Sequence, residues 1–150
     1  MSDQQVDILL ADDSTADIEL VSKALKAENN GWHIESVRDG VEAIAFVFGQ
    51  THEPGHDLVH KPRLIMLDLK MPRLNGFKVL ERLKADPRTH NIPVVVLTSS
   101  PEHKDMDECS RLGASDYKVK PLTFDLYSRM VKEIANRWLE GSSPSTGKGI

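Results

Sequence analysis

The chain has 150 residues, 39% of them hydrophobic and 28% charged, enough for one domain with a buried core of its own. Its formal net charge of −4 argues against a nucleic-acid-binding role, because phosphate backbones select basic faces. The single cysteine, Cys109, excludes an internal disulfide and suits a reducing compartment. The start, MSDQQVDILLADDS, is polar and acidic with only a short apolar run, so neither a signal peptide nor a membrane span is expected, and a cytoplasmic protein is.

VDILLA (6–11) reads as a first strand, and it runs into Asp12 and Asp13. Ile18, Val21 and Leu25 follow at helical spacing. WHIESV (32–37) alternates like an edge strand, with Trp32 expected in the core beside it, and Val41, Ile44 and Phe48 mark a second helix. GQTHEPGHDLVHKP (49–62) is long for a helix-to-strand connection. In it His52, His56 and His60 fall four apart, a spacing that on a helix could bind a transition metal, but Pro54-Gly55 interrupts any helix and a solvated loop is expected.

RLIMLD (63–68) is a nearly all-apolar strand that ends in an acid, Asp68. After the turn MPRLNG, in which Asn75-Gly76 can take positive φ, come Phe77, Leu80 and Leu83 on a third helix. PVVVLT (93–98) ends in Thr98 and Ser99, and Ser100 is expected near the entrance of any site there. Met106, Cys109 and Leu112 give a fourth helix, and SDYKVK (115–120) a short, polar edge strand ending in Lys120-Pro121, a corner where a cis bond is conceivable. Tyr127, Met130, Val131, Ile134 and Trp138 form the clearest helical stripe, and GSSPSTGKGI (141–150) reads as a disordered tail. The expected division is a lead over 1–5, one domain over 5–140 and the tail over 141–150.

Five strands alternating with five helices predict an α/β fold with a parallel sheet covered on both faces. In such sheets ligands bind at the carboxyl ends of the strands, beside the point where strand order reverses. Those ends carry Asp12, Asp13 and Asp68, with Thr98 and Lys120 opposite. Each residue has a plainer reading: Asp12 or Asp13 as a helix cap, unless Ser14 or Thr15 takes that part; Asp68 in a turn; Thr98 as a β-branched strand residue; Lys120 as a solvated surface cation. Three neighbouring carboxylates cannot all stay ionised without a cation. Hard oxygen ligands suit Mg²⁺, which takes one or two carboxylates together with a phosphate oxygen. Taken jointly, the strand ends ask for a divalent metal and a phosphoryl group.

ILLADDS, LIMLDLKMPRLNG, VVVLTSS and GASDYKVKP resemble the receiver domain of two-component response regulators over roughly 5–140. The insertion at 49–62 and the ending ANRWLE resemble the stand-alone receivers that serve cyanobacterial-type phytochromes. The resemblance implies a flavodoxin-like sheet of order 2-1-3-4-5. It implies that Asp68 accepts a phosphoryl group from a histidine kinase, which for the phytochrome-linked receivers is a phytochrome. It implies Mg²⁺ held by the side chains of Asp13 and Asp68 and by the carbonyl of Lys70, with Asp12 acting partly through bound water. Thr98 would hydrogen-bond the phosphoryl group, Lys120 would pair with it, and Thr98 and Tyr117 would form the switch.

On this reading the protein is not an enzyme with turnover but a signalling protein that promotes its own phosphotransfer and dephosphorylation. Its partners would be the kinase and a downstream protein or phosphorelay histidine, without nucleic acid or membrane, and a homodimer through the fifth helix is expected. Two alternatives compete. A hydrolase of the haloacid-dehalogenase type would want an Asp-x-Asp motif after strand 1, where this chain has adjacent Asp12-Asp13. A degenerate receiver that signals without phosphate is opposed by the presence of Asp13, Asp68, Thr98 and Lys120.

Overall fold

The computed structural model describes residues 5–28, 31–49 and 57–140; the 141–150 tail, the lead before Gln5, and His52 and His56 lie outside them. In chain order the elements are β1 (Ile8–Ala11), α1 (Thr15–Lys26), β2 (Ile34–Val37), α2 (Gly40–Phe48), β3 (Leu64–Leu67), α3 (Gly76–Ala85), β4 (Val94–Thr98), α4 (His103–Arg111), β5 (Asp116–Val119) and α5 (Phe124–Ala135), prolonged by a π-helical turn at Asn136–Glu140. The strands form one parallel sheet in the order β2-β1-β3-β4-β5. The apolar runs predict which strands are central and the family resemblance predicts this order: β1, β3 and β4 are buried throughout and central, while β2 and β5 are half-exposed edges.

Successive side chains of a strand point to opposite faces, so each central strand feeds two cores. Leu9, Ala11, Ile65, Leu67, Val94 and Val96 pack with α2, α3 and Cys109 of α4. Ile8, Leu10, Leu64, Met66, Val95 and Leu97 pack with α1 and α5. Burying one such side chain is worth about 1.5–3 kcal/mol, and all four residues of β3 are at most 1% exposed, so β3 is a stiff base for whatever follows it. Trp32 and Trp138, both half-buried, pack against the α1–α5 core.

The helices begin where short polar side chains take up orphan backbone N–H groups. Ser14, Asp39, Asn75 and Thr123 cap α1, α2, α3 and α5. With Ser14 in that part, Asp12 and Asp13 are free for other work. In the α2 stripe Ile44 and Phe48 face the core as expected, joined by Ala43 and Val47, but Val41 is 42% exposed. The only helical histidine-spaced residue described in the insertion, His60, is in no helix; its ring stacks on Phe46 at 4.2 Å between centroids, and its Nδ1 lies 3.0 Å from the Phe46 carbonyl. No described peptide bond is cis, Lys120–Pro121 included. Among the described residues no helix is long and apolar enough to cross a membrane.

Candidate functional site

Register builds the site. Ala11 pairs with Leu67, so the next residues of β1 and β3, Asp12 and Asp68, leave the sheet side by side. The Asp68 N–H donates to the Ala11 carbonyl at 2.9 Å and locks that alignment. On the other flank Thr98 pairs with Val119, and the Lys120 N–H donates to the Thr98 carbonyl at 2.7 Å. Asp12, Asp13 and Asp68 each offer a carboxylate oxygen within 4.8 Å of the others. Thus the expected acids converge, and Lys120 reaches them: its Nζ is 2.9 Å from Asp12 Oδ2 and 3.3 Å from Asp68 Oδ2.

Asp12 is 1% exposed and Asp68 7%, whereas Asp13 and the side chain of Lys70 are exposed. Burial pushes the Asp12 carboxyl up to about 6, despite the opposing hydrogen bond from Lys120. Burial also pulls the Lys120 ammonium down, but hydrogen bonds to Asp17 and Asp12 outweigh it, so the net shift is upward and the amine stays charged. The Lys70 N–H lies 3.4 Å from Asp68 Oδ1, and the Ser14 N–H donates to Asp12 Oδ1 at 3.0 Å.

Asp17 was not singled out by sequence reasoning, yet its Oδ2 lies 2.7 Å from Lys120 Nζ, the shortest of the three contacts. Its position was readable in principle. With Ser14 as the cap, Asp17 is the third residue of α1, and helical side chains tilt toward the N-terminus, here the edge of the sheet that carries the acids.

Thr98 is fully buried, and its Oγ1 accepts from the Ser100 N–H at 3.4 Å. Ser100 is not at an entrance: it is 4% exposed, with its hydroxyl donating to Asp105 on α4 at 2.6 Å, while Ser99 is the exposed member of the pair. The half-buried Tyr117 packs against the α2–α3–α4 core and donates its hydroxyl to the Ser100 carbonyl at 2.8 Å.

The loop after Asp68 departs from expectation as well. Asn75 has φ −75° as the α3 cap, and positive φ falls instead on Arg73 at 67°. Arg73 is held there by Asp39, with its Nε 3.0 Å from Asp39 Oδ2. Gly76 serves by lacking a side chain: a Cβ there would lie 2.4 Å from the Asp68 carbonyl oxygen.

The donor set suits a divalent cation. Asp12, Asp13, Asp17 and Asp68 oppose the one ammonium of Lys120, a formal balance of −3 when all are ionised, and hard oxygens converge on one spot. An acid cluster with an opposed ammonium, at the carboxyl edge of a five-stranded parallel sheet of order 2-1-3-4-5, lies where flavodoxin-like domains bind their ligands. The chain belongs to the response regulator receiver domain family, whose pattern it matches over residues 8–132.

It is similar to the response regulator Rcp1 of Synechocystis, at 36% identity over 133 residues, 89% of this chain and 88% of Rcp1. It is similar at 36% identity to the probable methanogenesis regulatory protein FilR2 of Methanothrix harundinacea, over 88% of this chain and 83% of FilR2. Among solved structures it resembles the phosphorylated cyanobacterial phytochrome response regulator RcpA, with a TM-score of 0.82 and 32% identity over 93% of this chain and 98% of RcpA. It also resembles Mn²⁺-bound Rcp1, with a TM-score of 0.80 and 35% identity over 91% and 96% of the two chains. RcpA is a cyanobacterial phytochrome response regulator and Rcp1 a response regulator, and these likenesses do not favour the hydrolase alternative.

Proposed function

We propose that Asp68 is the phosphoacceptor of a single-domain switch over residues 5–140, charged by a histidine kinase in a Mg²⁺-dependent reaction. The observation that carries the reading is the Lys120 ammonium 3.3 Å from Asp68 Oδ2, beside the carboxylates of Asp12 and Asp13 at the end of a fully buried strand. An Asp68 oxygen forms a bond to phosphorus while the bond from phosphorus to the donor imidazole breaks, its electron pair staying on the ring nitrogen. Lys120 pairs with the transferred oxygens and Thr98 donates a hydrogen bond to them. Asp13 and Asp68 would hold the cation by their side chains and Lys70 by its carbonyl, with Asp12 acting partly through bound water. When bound, the cation neutralises charge between the acids and the phosphoryl oxygens.

Thr98 and Tyr117 share Ser100 as a neighbour, which supports a switch in which a turn of Thr98 toward phosphate is felt by the tyrosine. The likeness to phytochrome regulators supports a phytochrome-type kinase as donor, and output through a protein partner in the cytoplasm. Phe124 and Leu126, 65% and 50% exposed on α5, offer a surface for a second copy, which sedimentation at rising concentration would register as a dimer.

The test is incubation with acetyl phosphate and Mg²⁺, followed by intact mass. One phosphoryl adduct is expected in the parent and none in Asp68→Asn or when EDTA replaces the metal. Equal labelling of Asp68→Asn rejects the assignment.

A further inference from the structure

We infer that Asp17 is a positioning residue that holds Lys120 at rest and competes with the phosphoryl group for it; the inference rests on Asp68 being the acceptor. An ammonium has three protons to donate, and Lys120 spends all three on carboxylates: Asp17 at 2.7 Å, Asp12 at 2.9 Å and Asp68 at 3.3 Å. Phosphorylation frees the Asp68 contact for one phosphoryl oxygen, and pairing with a second oxygen requires one of the other two carboxylates to give way.

Burial decides which. The Asp12 side chain is 2% exposed, and its second oxygen accepts the Ser14 N–H, so moving it would orphan a buried carboxylate. Asp68 loses its own charge on becoming an acyl phosphate, and the hydrogen bond it accepts from Lys120 passes to the phosphoryl group. The Asp17 side chain is 24% exposed, on the first turn of α1, and it borders the pocket of about 460 Å³ that Lys120, Pro121 and Leu122 also line. It can turn into water at the smallest desolvation cost of the three. Asp17 therefore competes with the phosphoryl group for one cation, and the strength of its grip sets how far Asp68 is phosphorylated at a given donor concentration.

The experiment measures the phosphorylated fraction by intact mass at limiting acetyl phosphate with Mg²⁺, in the parent, Asp17→Asn, Asp17→Glu and Glu19→Gln. A charge-assisted hydrogen bond at a partly exposed site is worth enough to shift the ratio of phosphorylated to free protein about three- to tenfold. The expected result is a rise of that size in Asp17→Asn, a return toward the parent in Asp17→Glu, and no change in Glu19→Gln, which removes an exposed charge from the same helix without touching Lys120. Thermal melts of all four confirm folding. An unchanged or lower fraction in folded Asp17→Asn overturns the inference, as does an equal rise in Glu19→Gln, which would reduce the effect to net charge. A parent that takes no phosphoryl group, or an Asp68→Asn variant labelled like the parent, overturns the acceptor reading instead.

Discussion

Asp12 is a residue whose protonation depends strongly on its surroundings. Its carboxyl titrates at about 6 in the folded protein, against 3.8 for the ordinary group, chiefly because it is buried. The folded state thus binds this proton more tightly than the unfolded state does. The resulting stability is present in full below the ordinary value and is lost as pH rises through about 6. In EDTA the parent is expected to lose roughly 1–2 kcal/mol between pH 5 and pH 8 that Asp12→Asn does not lose, read from urea midpoints. A pH slope identical in both proteins would remove Asp12 as its source. Tyr127 offers a second case. Its hydroxyl is buried without a hydrogen-bond partner, and burial pushes its pKa up. Tyr127→Phe should therefore be neutral or stabilising by up to about 1 kcal/mol in chemical denaturation, since it removes an unsatisfied group and keeps the ring. Sequence reading found the acids and the lysine because their strand ends announce them. It missed Asp17 because an acid in a first helical turn already has an ordinary explanation in the helix dipole.

At the scale of elements, strand identity and order were legible and loop conformation was not. Continuous apolar runs named the central strands to within a residue or two at their ends, and the site residues stand at or just past the carboxyl ends of those strands. The α2 stripe was misread at Val41 because three spaced apolar residues define a face only to within about one position. No sequence rule puts positive φ on Arg73 when Asn75-Gly76 stands nearby; the choice is tertiary, enforced by the ion pair with Asp39. Gly40, first residue of α2, belongs to the same corner, where an added Cβ would lie 1.8 Å from the Leu74 carbonyl oxygen. Because that neighbour is backbone, no rotamer change relieves the clash. Gly40→Ala is expected to cost about 3 kcal/mol, near the upper end for overpacking, and to loosen the loop that follows Asp68. A chemical denaturation midpoint close to the parent's would show that the corner yields more easily than its geometry implies.

Among the described residues of the whole molecule, Leu122 is the most exposed large apolar side chain, and with Val119 and Phe124, 40% and 65% exposed, it lines the pocket that Lys120 also borders. Apolar side chains grouped at the mouth of an acceptor site suit the footprint of a macromolecular donor rather than a small one. Leu122→Ser is expected to leave labelling by acetyl phosphate within about twofold of the parent, while slowing transfer from a phosphorylated kinase about tenfold or more. Equal slowing with both donors would mean that the substitution harms the site itself. The sheet meanwhile stands between two separately packed cores, and the acid edge touches both. Lys120, Asp17 and Tyr127 belong to the α1–α5 flank, and Ser100, Asp105 and Tyr117 to the α4 flank. One added charge leans on two walls at once, so listeners gripping opposite sides of the molecule could hear the same event without crowding each other.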